Sequence, residues 1–398
     1  MVSTGLAVVV HFSTLVLASA YSNNQATHHY RQDWRSTRLA SVQHASSTVD
    51  TTSPVLPGVA TFESWFQKLS GATCCTSVVH STFGRGALRG LAWKSTTSPG
   101  TPVPIAKTLL ATIPSSAVLK SDYNVDTWDA DLACRLWHEV RKGSDSRVAG
   151  YVSLLTQGDN VPAISGSEVP ASTALNAVRH WTVAQREHLQ TCNAGQRVLD
   201  LSQSQEAKWK EKYSKLGDSS VDSSVPTWEQ FRWCMEVVHS RAFCGVSTSG
   251  TVSLLPSIVA PLVASYAGYL YTSSQVNASY GVLALLATIA IAPTFVGILR
   301  PSSRAAVLLP LIDSANHFES ADSTIDFNVL ANAFELSIGP NCIKEEADGQ
   351  QQLYISYGRK SDTELLLNYG FLPDVPCDNI DNDMLRRQMA DAFVKRNN

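Results

Sequence analysis

The sequence predicts an α+β protein: a β core written in two halves, an all-helical segment inserted between them, and an apolar helical hairpin interrupting the second half. Three observations carry this expectation. Short apolar runs broken by Gly and Pro lie on either side of a stretch with helical spacing at 125–215. A polar block of small residues, "GDSSVDSSVP" at 217–226, closes that stretch. From Ala242 to Leu299 there is no Asp, Glu, Lys, Arg or His, a gap unusual for a chain with 16% charged residues.

The elements follow in order. "MVSTGLAVVVHFSTLVLASA" has an apolar stretch ending in the small residues Ala18-Ser19-Ala20, as a secretory signal does, although no Lys or Arg precedes it. The next stretch, "YSNNQATHHYRQDWRSTRLASVQHASSTV", is rich in Ser, Thr and Arg and poor in acids. Residues 1–45 are therefore read as a leader that resembles a two-part plastid leader; the alternative is the secretory pathway with an ER membrane location.

Folded structure is expected from about residue 60, where Phe62, Trp65, Phe66 and Leu69 recur at helical spacing. "HSTFGRGALRGLAW" reads as strand, Gly-rich turn and strand, and "PIAKTLLATIPSSAVL" as a further strand ended by proline, so 60–124 forms the first half of the β core. The helical insert, 125–225, opens with Trp128, Leu132, Leu136 and Val140 one turn apart. "TWEQFRWCMEVVHSRAF" then predicts a helix capped by Thr227, with Phe231, Cys234, Met235 and Val238 on one face.

The second half of the core, 226–376, is interrupted by 246–303, where 253–271 and 279–299 each have the length and apolarity needed to cross a bilayer. Two readings stand for 253–299: a membrane-spanning pair, or a helical hairpin buried against the body. "AAVLLPLID", "STIDFNVLANAFELSIG" and "QQLYISYG" are three extended runs, and 377–398 is a short tail.

Composition excludes several classes. A net charge of -3 argues against nucleic-acid binding, because a phosphate-tracking surface shows as a basic excess. The 8 cysteines include no C-x-x-C pair, so no zinc site and no dense disulfide framework is expected; they read as buried thiols, and the chain as a monomer.

The chemistry concentrates in three distant pieces: Gly84-Arg85-Gly86, "SRAF" with "PLIDSANH", and "YISYGRKSDTELLLNYGF", whose two Tyr-Gly pairs bracket a segment started by the capping box Ser361 and Glu364. In this order they resemble the SET-domain protein methyltransferases, in the class related to Rubisco large-subunit and actin-histidine methyltransferases, from about Phe62 to Asp378.

The resemblance implies a SET-domain β core with a knot-like crossing and an S-adenosylmethionine-dependent enzyme acting on a protein lysine, with Rubisco or aldolase as candidate substrates. It implies Tyr357 and Tyr369 as catalytic tyrosines. Gly84, Arg85, Gly86, Ala87, Arg241, Asp313, Asn316, His317 and Tyr357 would bind the cofactor, and Phe327, Tyr369 and Phe371 would line the substrate pocket. Methyl transfer to an amine is an in-line displacement, so alignment in a dry channel and oxygen dipoles facing the charge in flight do most of the work. The chain departs from this pattern in its short C-terminus and in the 246–303 block. A catalytically inactive binding module on the same scaffold, tethered to a membrane by that block, is the alternative.

Overall fold

The computed structural model describes residues 58–83, 88–94, 106–157, 168–170, 176–217, 225–247, 304–346, 349–373, 375 and 381–398. The leader, the turn at 84–87 and the apolar block from 248 to 303 lie outside these residues, so the expectations placed there do too.

Helix α1 (Val59–Lys68) buries Phe62 and Phe66. Strands β1 (Thr73–Cys74), β2 (Val78–Phe83), β3 (Leu88–Trp93), β4 (Thr108–Pro114) and β5 (Leu119–Asp122) follow. The helices α2 (Trp128–Lys142), α3 (Ala149–Thr156), α4 (Val183–Leu189), α5 (Asn193–Ser214) and α6 (Trp228–Arg241) come next. The chain returns to β with β6 (Phe243–Ser247), β7 (Arg304–Leu308), β8 (Asn316–His317), β9 (Ser323–Asn328), β10 (Ala333–Ile338), β11 (Ile343–Glu345) and β12 (Gln351–Ile355). It ends in a short α7 (Asp362–Glu364) running into a π-turn, Leu365–Tyr369, and in α8 (Asn382–Asn397).

Among the described residues the strands form three small sheets, ordered β1-β4-β10-β9, β11-β12-β3-β2 and β5-β7-β6, with β8 alongside β12. The α+β class holds. Most ladders are antiparallel, but β8 lies parallel to β12, with Asn316 opposite Tyr354 and His317 opposite Ile355. This short pairing brings two motifs of the sequence side by side.

Local rules explain the helices. In α2, Leu132, Leu136 and Val140 are all buried, Asp129 and Asp131 sit in the first turn, and Arg141 and Lys142 sit in the last, matching the helix dipole. Helix α6 starts with a complete capping box, Thr227 with Gln230.

The helical insert is not a separate body. Leu132, Tyr151, Leu154 and Trp209 share one hydrophobic cluster with the sheet residues Leu91, Ile113 and Leu336. A second cluster joins Trp181, Leu189 and Val198 to Leu366, Leu372, Leu385, Met389 and Phe393.

Two expectations change. The run "STIDFNVLANAFELSIG" is a hairpin and not one extended segment: β9 and β10 pair antiparallel, with Asn328 opposite Ala333. The Asn328 side chain accepts the Ala331 N–H at 3.1 Å, and Asn332 takes a left-handed φ of 48°. Asparagine tolerates that conformation, and a turn without Gly or Pro leaves no sharp break in the pattern. The tail at 377–398 carries α8, which buries Leu385, Met389, Ala390 and Phe393. No described helix is long and apolar enough to cross a membrane. The seven described cysteines are free thiols; Cys192, Cys234 and Cys342 are buried as expected, whereas Cys244 is exposed.

Candidate active site

Helix α6 delivers His239, Ser240 and Arg241 in its last turn, and Ala242 then leaves in an extended conformation to start β6. Opposite Arg241, the chain enters a tight turn, Ile312–Ser314, through Leu311. Leu311 has φ 74° and ψ -55°, the rare γ-turn region that a bulky residue adopts only under tertiary constraint.

That turn presents Asp313. One Arg241 guanidinium nitrogen donates to the Asp313 carbonyl at 3.0 Å and lies 3.5 Å from its Oδ2. The Tyr151 hydroxyl, from α3, donates to the same Oδ2 at 2.5 Å. Burial pushes the Asp313 carboxyl above its usual range, against the pull of Arg241 and Tyr151. Burial likewise opposes the Arg241 charge, but Asp313 together with Tyr151 and Tyr357 outweighs it and raises that guanidinium. Arg241 Nε, Asp313 Oδ1 and Ser314 Oγ are buried with no hydrogen-bond partner among the described residues.

The tyrosines arrive from the other side. The Tyr357 N–H donates to His317 Nδ1 at 3.1 Å, which leaves the His317 proton on Nε2. The Tyr357 hydroxyl donates to the Ala315 carbonyl at 2.8 Å, one residue before Asn316. Ser361 and Glu364 complete the expected capping box, and the π-turn carries the chain to Tyr369. Gly370 follows at φ 72°, where an added Cβ would lie 2.4 Å from the Ala177 nitrogen, so glycine is required.

The Tyr357 and Tyr369 rings stack at 5.2 Å and 28°. His317 stacks on Tyr357 at 4.9 Å, and Phe371 lies 6.2 Å from both His317 and Tyr369. Burial, then the neighbouring Tyr369, pushes the Tyr357 phenol well above its ordinary value; burial, then Cys244, pushes Tyr369 up to about 12. Both therefore remain neutral hydroxyls at physiological pH.

A cavity of about 430 Å³ joins these parts; Arg241, Asp313, Tyr357, Tyr369, His239 and Cys244 line it. Asn316 is not among the lining residues; its Nδ2 donates to the Arg89 carbonyl at 3.4 Å. It packs so closely on Gly90 that a Cβ there would meet Nδ2 at 2.6 Å. His317 and Phe371 reach the cavity only through the tyrosines. Phe327 is not brought to the tyrosine pair by any described ring contact: its ring packs on Phe334 at 4.9 Å. It shares a β9 face with Ser323 and Ile325, which do line the cavity. Gly84, Arg85, Gly86 and Ala87 lie outside the described residues.

Several residues of the site were not anticipated. Tyr151 meets Asp313 across 162 residues, and His239 meets Asp129 across 110, separations that no local pattern encodes. His239 Nε2 lies 3.2 Å from Asp129 Oδ2, while Lys212 Nζ lies 2.5 Å from Oδ1. Burial alone would raise Asp129, but the hydrogen bonds from His239 and Lys212 outweigh it and hold the carboxyl at about 2. His80, edge-on to Phe62 at 5.1 Å, is pushed down to about 3 by burial and by Arg89 and Arg241, so it is a neutral wall.

No family model matches this chain, and no curated protein matches it. Among solved structures the chain is similar to the SET domain of LSMT bound to methyllysine and AdoHcy, with 17% identity and a TM-score of 0.43. That similarity covers 80% of this chain and 57% of the solved one, so the chain spans somewhat more than half of that protein's length.

Proposed function

We propose that this protein transfers a methyl group from S-adenosylmethionine to a lysine side-chain amine of a protein substrate. The observation that carries the reading is the convergence on one cavity of two stacked, neutral tyrosines and a buried Arg–Asp pair with unfilled polar atoms.

The residues present fit the cofactor. Its amino-acid end bears a carboxylate and an ammonium; Arg241 Nε is an orphaned donor for the first, and Asp313 Oδ1 an orphaned acceptor for the second. Asn316 and His317 follow Asp313 closely in the chain and are held by the β8–β12 pairing. When bound, the cofactor supplies a methyl group on a positively charged sulfur.

Everything else falls to the chain. Tyr357 and Tyr369, fixed by stacking and by the turn at Gly370, present phenol oxygens to the nitrogen that becomes cationic, and their neutrality keeps those dipoles in place. His317 and Phe371 wall the pair and exclude water, which strengthens each dipole. No metal-ligating cluster occurs among the described residues, and in-line transfer asks for none.

The test is calorimetry with S-adenosylmethionine, followed by incubation with a labelled methyl donor and a cell extract. Tyr357→Phe is expected to cut turnover by more than about tenfold while changing cofactor affinity by less than about threefold. Absence of cofactor binding by well-folded protein would overturn the reading.

A further inference from the structure

We propose that His239 accepts the proton that a substrate amine must lose before it can attack, with Asp129 as its positioning residue. The inference rests on the amine-methylating reading above. A lysine ammonium has no lone pair, and with an ordinary value near about 10.4 only about one amine in a few thousand is neutral at pH 7. An acceptor in the cavity removes that limit.

The other titratable groups lining the cavity are poorly suited to the task. Tyr357 and Tyr369 are held as neutral acids far above pH 7. Asp313 is held by Arg241 and Tyr151 through Oδ2, and its free Oδ1 is assigned above to the cofactor's ammonium. Cys244 is exposed as a residue, but the cover over its sulfur pushes the thiol up to about 11, and Lys360 pairs with Glu364 at 3.8 Å. Among the described lining residues, His239 is the one imidazole, a side chain with one donor and one acceptor nitrogen when neutral.

Its surroundings select the useful tautomer. The Asp129 carboxyl, held at about 2, is ionised and can only accept, so the nitrogen facing it at 3.2 Å carries the proton. Nδ1 then holds the lone pair. The ring is fixed between Trp128, 6.0 Å away, and Trp209, 5.1 Å away. The charged and titratable groups around it are Asp129 from α2, Lys212 from α5, Cys244 from β6, Lys360 and Tyr369 from the C-terminal segment, and Arg179, whose guanidinium lies 4.5 Å over the Trp209 ring. Lys212 shares the Asp129 carboxylate with His239, taking Oδ1 while the imidazole takes Oδ2.

The step balances. An N–H bond of the ammonium breaks and its proton passes to His239 Nδ1. The freed lone pair forms the new N–C bond as the S–C bond breaks, leaving a thioether and a methylammonium. The imidazolium then returns its proton to solvent.

His239→Gln keeps an amide N–H for Asp129 and removes the basic lone pair. With poly-L-lysine as the methyl acceptor, kcat/KM of this variant is expected to fall about a hundredfold at pH 7 and to approach wild type near pH 10, where solvent deprotonates the amine. Profiles that run parallel across this range would overturn the proposal. Nitrogen NMR of histidine-labelled wild-type protein gives a readout without turnover: Nδ1 unprotonated and Nε2 protonated at pH 7 is expected, with that preference weakened in Asp129→Asn. A protonated Nδ1 would equally overturn it, even should His239→Gln fail to fold. Failure of wild type to bind S-adenosylmethionine would instead strike the methyltransferase reading, leaving the tautomer measurement to judge His239 by itself.

Discussion

Asp129 and Asp313 are both buried carboxylates that meet a cation from another element, yet they stand on opposite sides of the ordinary carboxylate range. Asp129 accepts from His239 and Lys212, and its Oδ1 also takes the Ala130 N–H at 2.8 Å. Asp313 has Tyr151 and Arg241 on Oδ2 and, among the described residues, nothing on Oδ1. Hydrogen-bond donors win at the first and burial wins at the second. The difference teaches that a buried carboxylate is set less by its nearest cation than by how many of its lone pairs are filled. A filled site stabilises the fold; an unfilled one waits for a ligand.

Three substitutions break or sharpen that contrast. The largest effect is expected from Arg241→Ala, which strands Asp313 in a dry pocket and should lower stability by about 3–5 kcal/mol in urea unfolding. It should also abolish cofactor binding in calorimetry. A loss under about 1 kcal/mol would mean that the pair is not sealed.

Asp129→Asn comes next, with a pH signature. The folded-state carboxyl lies at about 2 against an ordinary 3.8, so its stabilisation is complete above the ordinary value and disappears as pH falls towards 2. The variant should be about 2 kcal/mol weaker than wild type at pH 7, with the gap shrinking to about a third of that at pH 2.5, as judged by urea midpoints. A gap undiminished at pH 2.5 would point to lost packing and not to charge.

Tyr151→Phe is the smallest of the three. It removes one buried hydroxyl donor from Asp313 and should cost about 1.5 kcal/mol, seen as a lower urea midpoint with unchanged slope. Because the carboxylate then has still fewer donors, cofactor binding should become more sensitive to pH than in wild type. An unchanged dependence would show that Tyr151 only fills space.

Much of this architecture was readable along the chain. The apolar spacing of α2, the cap at Thr227, the capping box at Ser361 and the paired strands β2 and β3 are set by neighbours within a few residues, and each appears where expected. The β9–β10 hairpin was not legible, because its turn is made by asparagines and not by Gly or Pro. Helix α8 carried a usable signal, Leu385, Met389 and Phe393 one turn apart, but only contact with α4 and the tyrosine segment gives its apolar face a purpose.

The sequence by itself determined the α+β class, the positions of most helices and strands, and the two tyrosines at the ends of one capped turn. Those features depend on periodicity and on hydrogen bonds between near neighbours. Tertiary structure alone decided that Tyr357 and Tyr369 stack, that Asp313 meets Tyr151 from a distant helix, and that His239 faces Asp129 beside the same cavity. Burial and charge at these points are sums over residues far apart in the chain, and such sums exist only once the core has closed around them.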